Sequence, residues 1–133
     1  MIAYLDSNCL IYLVEQNPVW WPKITARIAA LRTAGDEIAV SDLTRAECLV
    51  GPYTSGDTAM LASYQGFFAA PAVHVFPLTV AVCERAARLR AAQRFPLPDA
   101  LHLAAAIEHG CGLFLTNDAQ LCRCTDIPVE VLT

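Results

Sequence analysis

Ile2-Ala3-Tyr4-Leu5-Asp6-Ser7-Asn8 is the stretch whose reading decides the fold. A short apolar run ends at an acid, as a buried strand does where it leaves its sheet. Asp6, Ser7 and Asn8 then offer side-chain oxygens that can cap a helix. Leu10, Ile11, Leu13 and Val14 follow at helical spacing. The chain therefore opens with a strand that passes directly into a helix.

Working outward, the same unit recurs. Pro18 to Pro22 is a breaker zone, and Ile24 to Leu31 has helical spacing that Gly35 closes. Ile38-Ala39-Val40 reads as a second strand, with Ser41 and Asp42 capping a helix through about Val50. Gly51 to Gly56 reads as a loop, and Asp57 to Phe68 as a helix. Val73 to Phe76 is a third strand. Thr79 opens a helix through Arg94 whose core positions would be Val82, Ala86, Leu89 and Ala92. Pro98 stands in the first turn of a helix from Asp99 to His109. Leu113-Phe114-Leu115 is a fourth strand, Thr116-Asn117-Asp118 a cap, and Val129 to Leu132 a last strand. Strands alternating with helices of this length imply an α/β fold, with a parallel sheet covered on both faces.

Composition narrows the class. The 133 residues are 56% hydrophobic and 17% charged, enough apolar surface for one domain, 1–133, with a single core. Thr58 to Cys83 carries no Asp, Glu, Lys or Arg, but Gly66, Pro71, His74 and Pro77 interrupt it. Two buried elements fit it better than a spanning helix of ~20 residues. The N-terminus lacks the basic lead of a signal peptide, so a soluble, cytoplasmic protein without a membrane partner is expected. Six cysteines mostly fall in apolar periodic segments, where a reduced thiol packs as a small hydrophobe. Cys122-x-Cys124 lacks the spacing of a zinc pair. A net charge of −4 argues against a protein that holds nucleic acid by its overall charge.

The acids carry the chemistry. Each has an ordinary reading: Asp6 and Asp118 as helix caps, Asp99 as a partner for a helix dipole, Glu47 as the far end of a Thr44-x-x-Glu47 capping box. A cap at Ser41/Asp42 would put Glu47 in the second turn of its helix, which weakens that last reading. In a parallel α/β sheet, strand C-ends and helix N-ends share one edge. The topology therefore gathers four carboxylates at one rim, where they repel unless something neutralises them. Oxygen-rich sites of this kind select Mg²⁺ or Mn²⁺. No Gly-Lys-Ser/Thr phosphate loop and no Ser-His-Asp order occurs. Metal-assisted hydrolysis is the chemistry left.

Ile2 to Asn8, Ser41-x-x-Thr44-x-x-Glu47, Pro98-Asp99-Ala100-Leu101-His102-Leu103-Ala104-Ala105-Ala106 and Leu115-Thr116-Asn117-Asp118 resemble the PIN-domain nucleases, most of all the small VapC-type toxins. The pieces occur in order across nearly the whole chain. The resemblance implies a PIN-like three-layer sandwich with a roughly five-stranded, mainly parallel sheet. It also implies Mg²⁺- or Mn²⁺-dependent endonuclease activity on RNA, a homodimer, and an antitoxin that covers the active site. Asp6, Glu47, Asp99 and Asp118 match the family's acidic positions, and Ser7, Thr116 and Asn117 its supporting polar ones. A fold-sharing module that binds RNA or protein without cleavage is the alternative.

Three further features admit two readings each. His102, one turn past Asp99, is either a hydrogen-bonded histidine under the sheet edge or at a subunit contact, or a group near the metal; the first is favoured because an oxygen site needs no imidazole. Arg85, Arg88, Arg90 and Arg94 are either a solvated helix face or, Arg94 above all, contacts to RNA phosphates. Trp20 and Trp21 are read as packed loop anchors rather than an exposed partner surface.

Overall fold

β1 (Ile2–Leu5) occupies the middle of the sheet, and its alternating side chains define both faces. The computed structural model describes residues 1–133. Around β1 lie β2 (Glu37–Ser41), β3 (Val73–Phe76), β4 (Leu113–Thr116) and β5 (Val129–Val131), in the order β3-β2-β1-β4-β5. Every neighbouring pair is parallel, so the sheet is wholly rather than mainly parallel. Tyr4 stands opposite Ala39 on one side and Phe114 on the other.

Six helices cover it: α1 (Ser7–Val14), α2 (Trp21–Thr33), α3 (Asp42–Ser55), α4 (Thr58–Ala69), α5 (Val80–Gln93) and α6 (Leu97–Glu108). A short 3-10 helix spans Ala119–Arg123. Tyr4, Ala39 and Phe114 point to a core shared with Val82, Ala86 and Leu89 of α5 and Leu103 and Ala106 of α6. Ala3, Leu5, Ile38, Val40, Leu113 and Leu115 point the other way, onto Leu10, Ile24, Leu31, Tyr64 and Phe68 from α1, α2 and α4. The period-2 alternation thus builds a three-layer sandwich, as the strand–helix pattern predicts. No helix is long and apolar enough to cross a membrane.

Three local expectations fail. The helix expected to stop near Val50 runs on to Ser55, with Gly51 inside it and Pro52 buried. Gly and Pro are breakers only where nothing else compensates; here the turn ends at Gly56, whose φ of 71° supplies the left-handed stop. Ala92 is exposed, because α5 ends at Arg94 and the buried Phe95 takes over the core contact there. Trp20 is half-buried and stacks on Tyr12 at 5.6 Å, as an anchor should, whereas Trp21 is exposed. All six cysteines are free, and four of them (Cys9, Cys48, Cys111, Cys124) are buried.

Candidate metal centre and active site

The strand order reverses between β1 and β4, and in open parallel sheets ligands bind outside the strand C-ends at such a point. Asp6 sits there. Its amide donates to Leu115 O at 2.9 Å, prolonging the β1–β4 ladder by one bond. Its side chain is 5% exposed and caps α1 by accepting from the Ser7 amide at 2.9 Å. The other carboxylate oxygen accepts from the buried Thr116 hydroxyl at 2.7 Å. Thr116 Oγ1 in turn accepts from the Asp118 amide at 3.0 Å. One hydroxyl therefore ties together the ends of β1 and β4 and the first turn toward Asp118.

Asp118 caps the 3-10 helix through Gln120 N–H at 3.0 Å, so its ordinary capping reading is real and leaves its second oxygen without a protein partner. Asn117 turns away: its Nδ2 donates to Tyr12 Oη at 2.9 Å, and its amide to Asn8 Oδ1 at 3.3 Å. It fastens the loop to α1 and offers no oxygen to the acids by these bonds.

Asp99 lies in the first turn of α6, half-buried, with no side-chain hydrogen bond or salt bridge. Burial pushes its carboxyl up, and the negative charges of Asp6, Asp118 and Glu47 add to the rise, opposed only by His102. No Lys or Arg contributes to that balance. Asp99 thus feels the charge of the other three acids, with His102 as the one opposing group.

Glu47 occupies the second turn of α3. As the Ser41/Asp42 cap implies, the capping box does not involve it: the Ser41 amide donates to Thr44 Oγ1 at 3.2 Å, because the helix begins at Asp42. Glu47 is held instead by Ser7 Oγ, which donates to Oε1 at 2.8 Å, and by His102 Nε2, which bonds the same oxygen. The hydrogen bond from His102 holds its carboxyl below the usual range. His102 is buried, and its Nδ1 lies 2.7 Å from the Tyr4 hydroxyl, itself 2.7 Å from Ser41 Oγ. The reading of His102 as a hydrogen-bonded histidine under the sheet edge holds, but its partner is a candidate site residue. The sequence carried half of this signal: a tyrosine two residues before Asp6 on a buried strand needs a polar partner for its hydroxyl, but nothing in it points on to Glu47.

The charge and the hard-oxygen donors suit a divalent cation rather than a soft metal. The side chains are not drawn in around a common point, and no group of three or more His, Cys, Asp or Glu is arranged to hold an ion. Half of the arginine run is structural. Arg85 bonds Glu108, and Arg90 donates to Phe95 O at 2.8 Å. Arg88 is exposed, and Arg94 is exposed at the α5 C-cap with φ 58°.

The profile of the PIN domain matches residues 3–126. No curated protein sequence matches the chain. Among solved structures, VapBC2 from Rickettsia felis, bound to a DNA fragment from its promoter, is similar at TM-score 0.83 and 17% identity, covering 100% of both chains. FitAcB from Neisseria gonorrhoeae is similar at TM-score 0.75 and 19% identity, over 97% of this chain and 96% of that one. VapC20 from Mycobacterium tuberculosis, described as a toxin that cleaves the sarcin–ricin loop, is similar at TM-score 0.76 and 15% identity, over 98% and 99%. At these identities the likeness is one of fold.

Proposed function

Since the chain belongs to the PIN-domain family, we propose that it is a Mg²⁺- or Mn²⁺-dependent endoribonuclease, the toxin of a bacterial toxin–antitoxin pair. The observation that carries the reading is Asp99 at the start of α6, half-buried, without a side-chain partner, and raised by burial and by Asp6, Asp118 and Glu47. RNA is itself an anion, so a site this negative needs a cation before a phosphate can approach it.

Asp6, Glu47 and Asp99 would hold the ion, directly or through water, and Asp118 would complete that site or a second one. A divalent cation there supplies a water of lowered pKa and offsets charge on the phosphoryl group. The chain's own part is positional. Thr116 and the Ser7 amide fix both oxygens of Asp6. Ser7 and His102 fix one oxygen of Glu47. Asp118 has a second oxygen without a protein partner, and Asp99 has two.

The toxin role is supported by the fold shared with the VapBC and FitAcB assemblies named above, and it brings a cognate antitoxin and a homodimer as expected partners. Purified chain incubated with total RNA and Mn²⁺ or Mg²⁺ should cut it, leaving 5′-phosphate and 3′-hydroxyl ends, and EDTA should stop the reaction. The lack of a ready-assembled ligand group favours one second reading, a non-catalytic RNA- or protein-binding module. Intact RNA with both metals, at protein in excess over substrate, would select it.

A further inference from the structure

The buried Tyr4–His102 pair is not consumed by core packing alone, because its far end emerges at a site carboxylate. We infer that His102 is a positioning residue: with Ser7, it holds Glu47 Oε1 so that Oε2 alone is left for a cation, and Tyr4 keeps its ring in register. The inference rests on the metal-dependent reading of the same site.

The donor arithmetic fixes the imidazole. An ionised carboxylate only accepts, so Nε2 must carry a proton to bond Glu47. Nδ1 faces the Tyr4 hydroxyl at 2.7 Å, a group able to give or take one proton, so either state of Nδ1 is satisfied. Nε2–H is therefore required whichever way the tyrosine turns. Ser7 Oγ lies 3.1 Å from Nε2 and 2.8 Å from Glu47 Oε1, closing a three-membered ring of contacts on one oxygen. Glu47 Oε2 takes no hydrogen bond within the protein. Glu47 is on α3 and its side chain is 35% exposed, whereas that of His102 is 2% exposed. A partly exposed carboxylate is thus held by a buried donor, which is how outer groups orient metal ligands. A long side chain held in this way loses less freedom when an ion arrives.

The test is Mn²⁺ affinity, read by electron paramagnetic resonance of the free ion, with RNA cleavage measured beside it. His102→Ala should weaken Mn²⁺ binding about 10- to 100-fold, the usual cost of losing a group that orients a ligand. His102→Gln keeps an N–H donor at a similar reach and should recover most of that loss. In an E47Q background, His102→Ala should change Mn²⁺ affinity no further, since its action passes through Glu47. Circular dichroism and thermal melts of each variant identify the folded fraction, so affinity is taken per folded molecule. Parent-like Mn²⁺ affinity in folded His102→Ala, or an undiminished effect in the E47Q background, would overturn the inference while leaving the metal site standing. Absence of Mn²⁺ binding by the parent chain would instead sink the reading on which it rests.

Discussion

Asp99→Asn should make the metal-free protein more stable while removing its activity. The carboxylate is half-buried, has no donor, and is raised first by burial and then by Asp6 and Asp118. Like charges that are near but not in contact repel by roughly 2 kcal/mol at an effective dielectric of about 20. Physiological salt, with a Debye length of about 8 Å, cuts this to a little under 1 kcal/mol per neighbour. Two neighbours give a relief of about 1–2 kcal/mol for an amide of the same shape. At this chain length that corresponds to roughly 4 °C in Tm per kcal/mol. The measurement is a thermal melt of parent and variant in EDTA at pH 7.

The sign fixes the pH behaviour. The folded carboxyl binds its proton more tightly than the ordinary value of 3.8, so charging it costs stability as pH rises through the folded pKa. The advantage of the variant should therefore be full at pH 7 and should close as pH falls toward and below 3.8. Added Mn²⁺ should reverse the order, because ligand at 100 times its Kd contributes about 2.7 kcal/mol to the form that binds it. If the variant is no more stable than the parent in EDTA at pH 7, the negative rim does not exist as described.

Thr116→Val removes the hydroxyl that donates to Asp6 and accepts from the Asp118 amide. Unfolding titrations should show a loss of about 1–3 kcal/mol from the stranded buried acceptor, with Thr116→Ser recovering much of it. Gly56→Ala places a methyl group on a residue at φ 71° and should cost about 1 kcal/mol in the same assay. Arg94→Ala should weaken RNA binding and flatten its salt dependence by about one unit of slope, read from affinities at several salt concentrations; unchanged affinity at low and high salt would dispose of the phosphate contact.

Most of the fold was legible because local and tertiary signals agree. Ile2–Leu5, Ile38–Val40 and Leu113–Leu115 are apolar on both faces, and the structure gives each face its own core. Thr79 and Asp57 cap the helices that they precede, as their side chains suggest. Gly51 and Pro52 misled because propensity is a local quantity, while the burial of Pro52 is decided by α3 packing onto its neighbours. At the site, strand ends and helix starts were enough to put Asp6 just past β1, Asp99 in the first turn of α6 and Asp118 just past β4. The clamp on Glu47 was not readable, since it joins Ser7, Glu47, His102 and Tyr4 from four separate elements. No periodicity relates residues so far apart in the chain. Thr44 was readable: a helix capped by Ser41 puts Glu47 in the second turn, and the capping box indeed joins Ser41 and Thr44.

The claim at the centre is that these carboxylates together bind a divalent cation which the chain needs for cleavage. Titrating Mn²⁺ into the parent and into Asp6→Asn, with free ion followed by electron paramagnetic resonance, addresses it without reference to any RNA. The parent should take up the ion and the variant, folded to the same extent, should take up at least tenfold less. Equal uptake by both proteins, or none by the parent, contradicts the account.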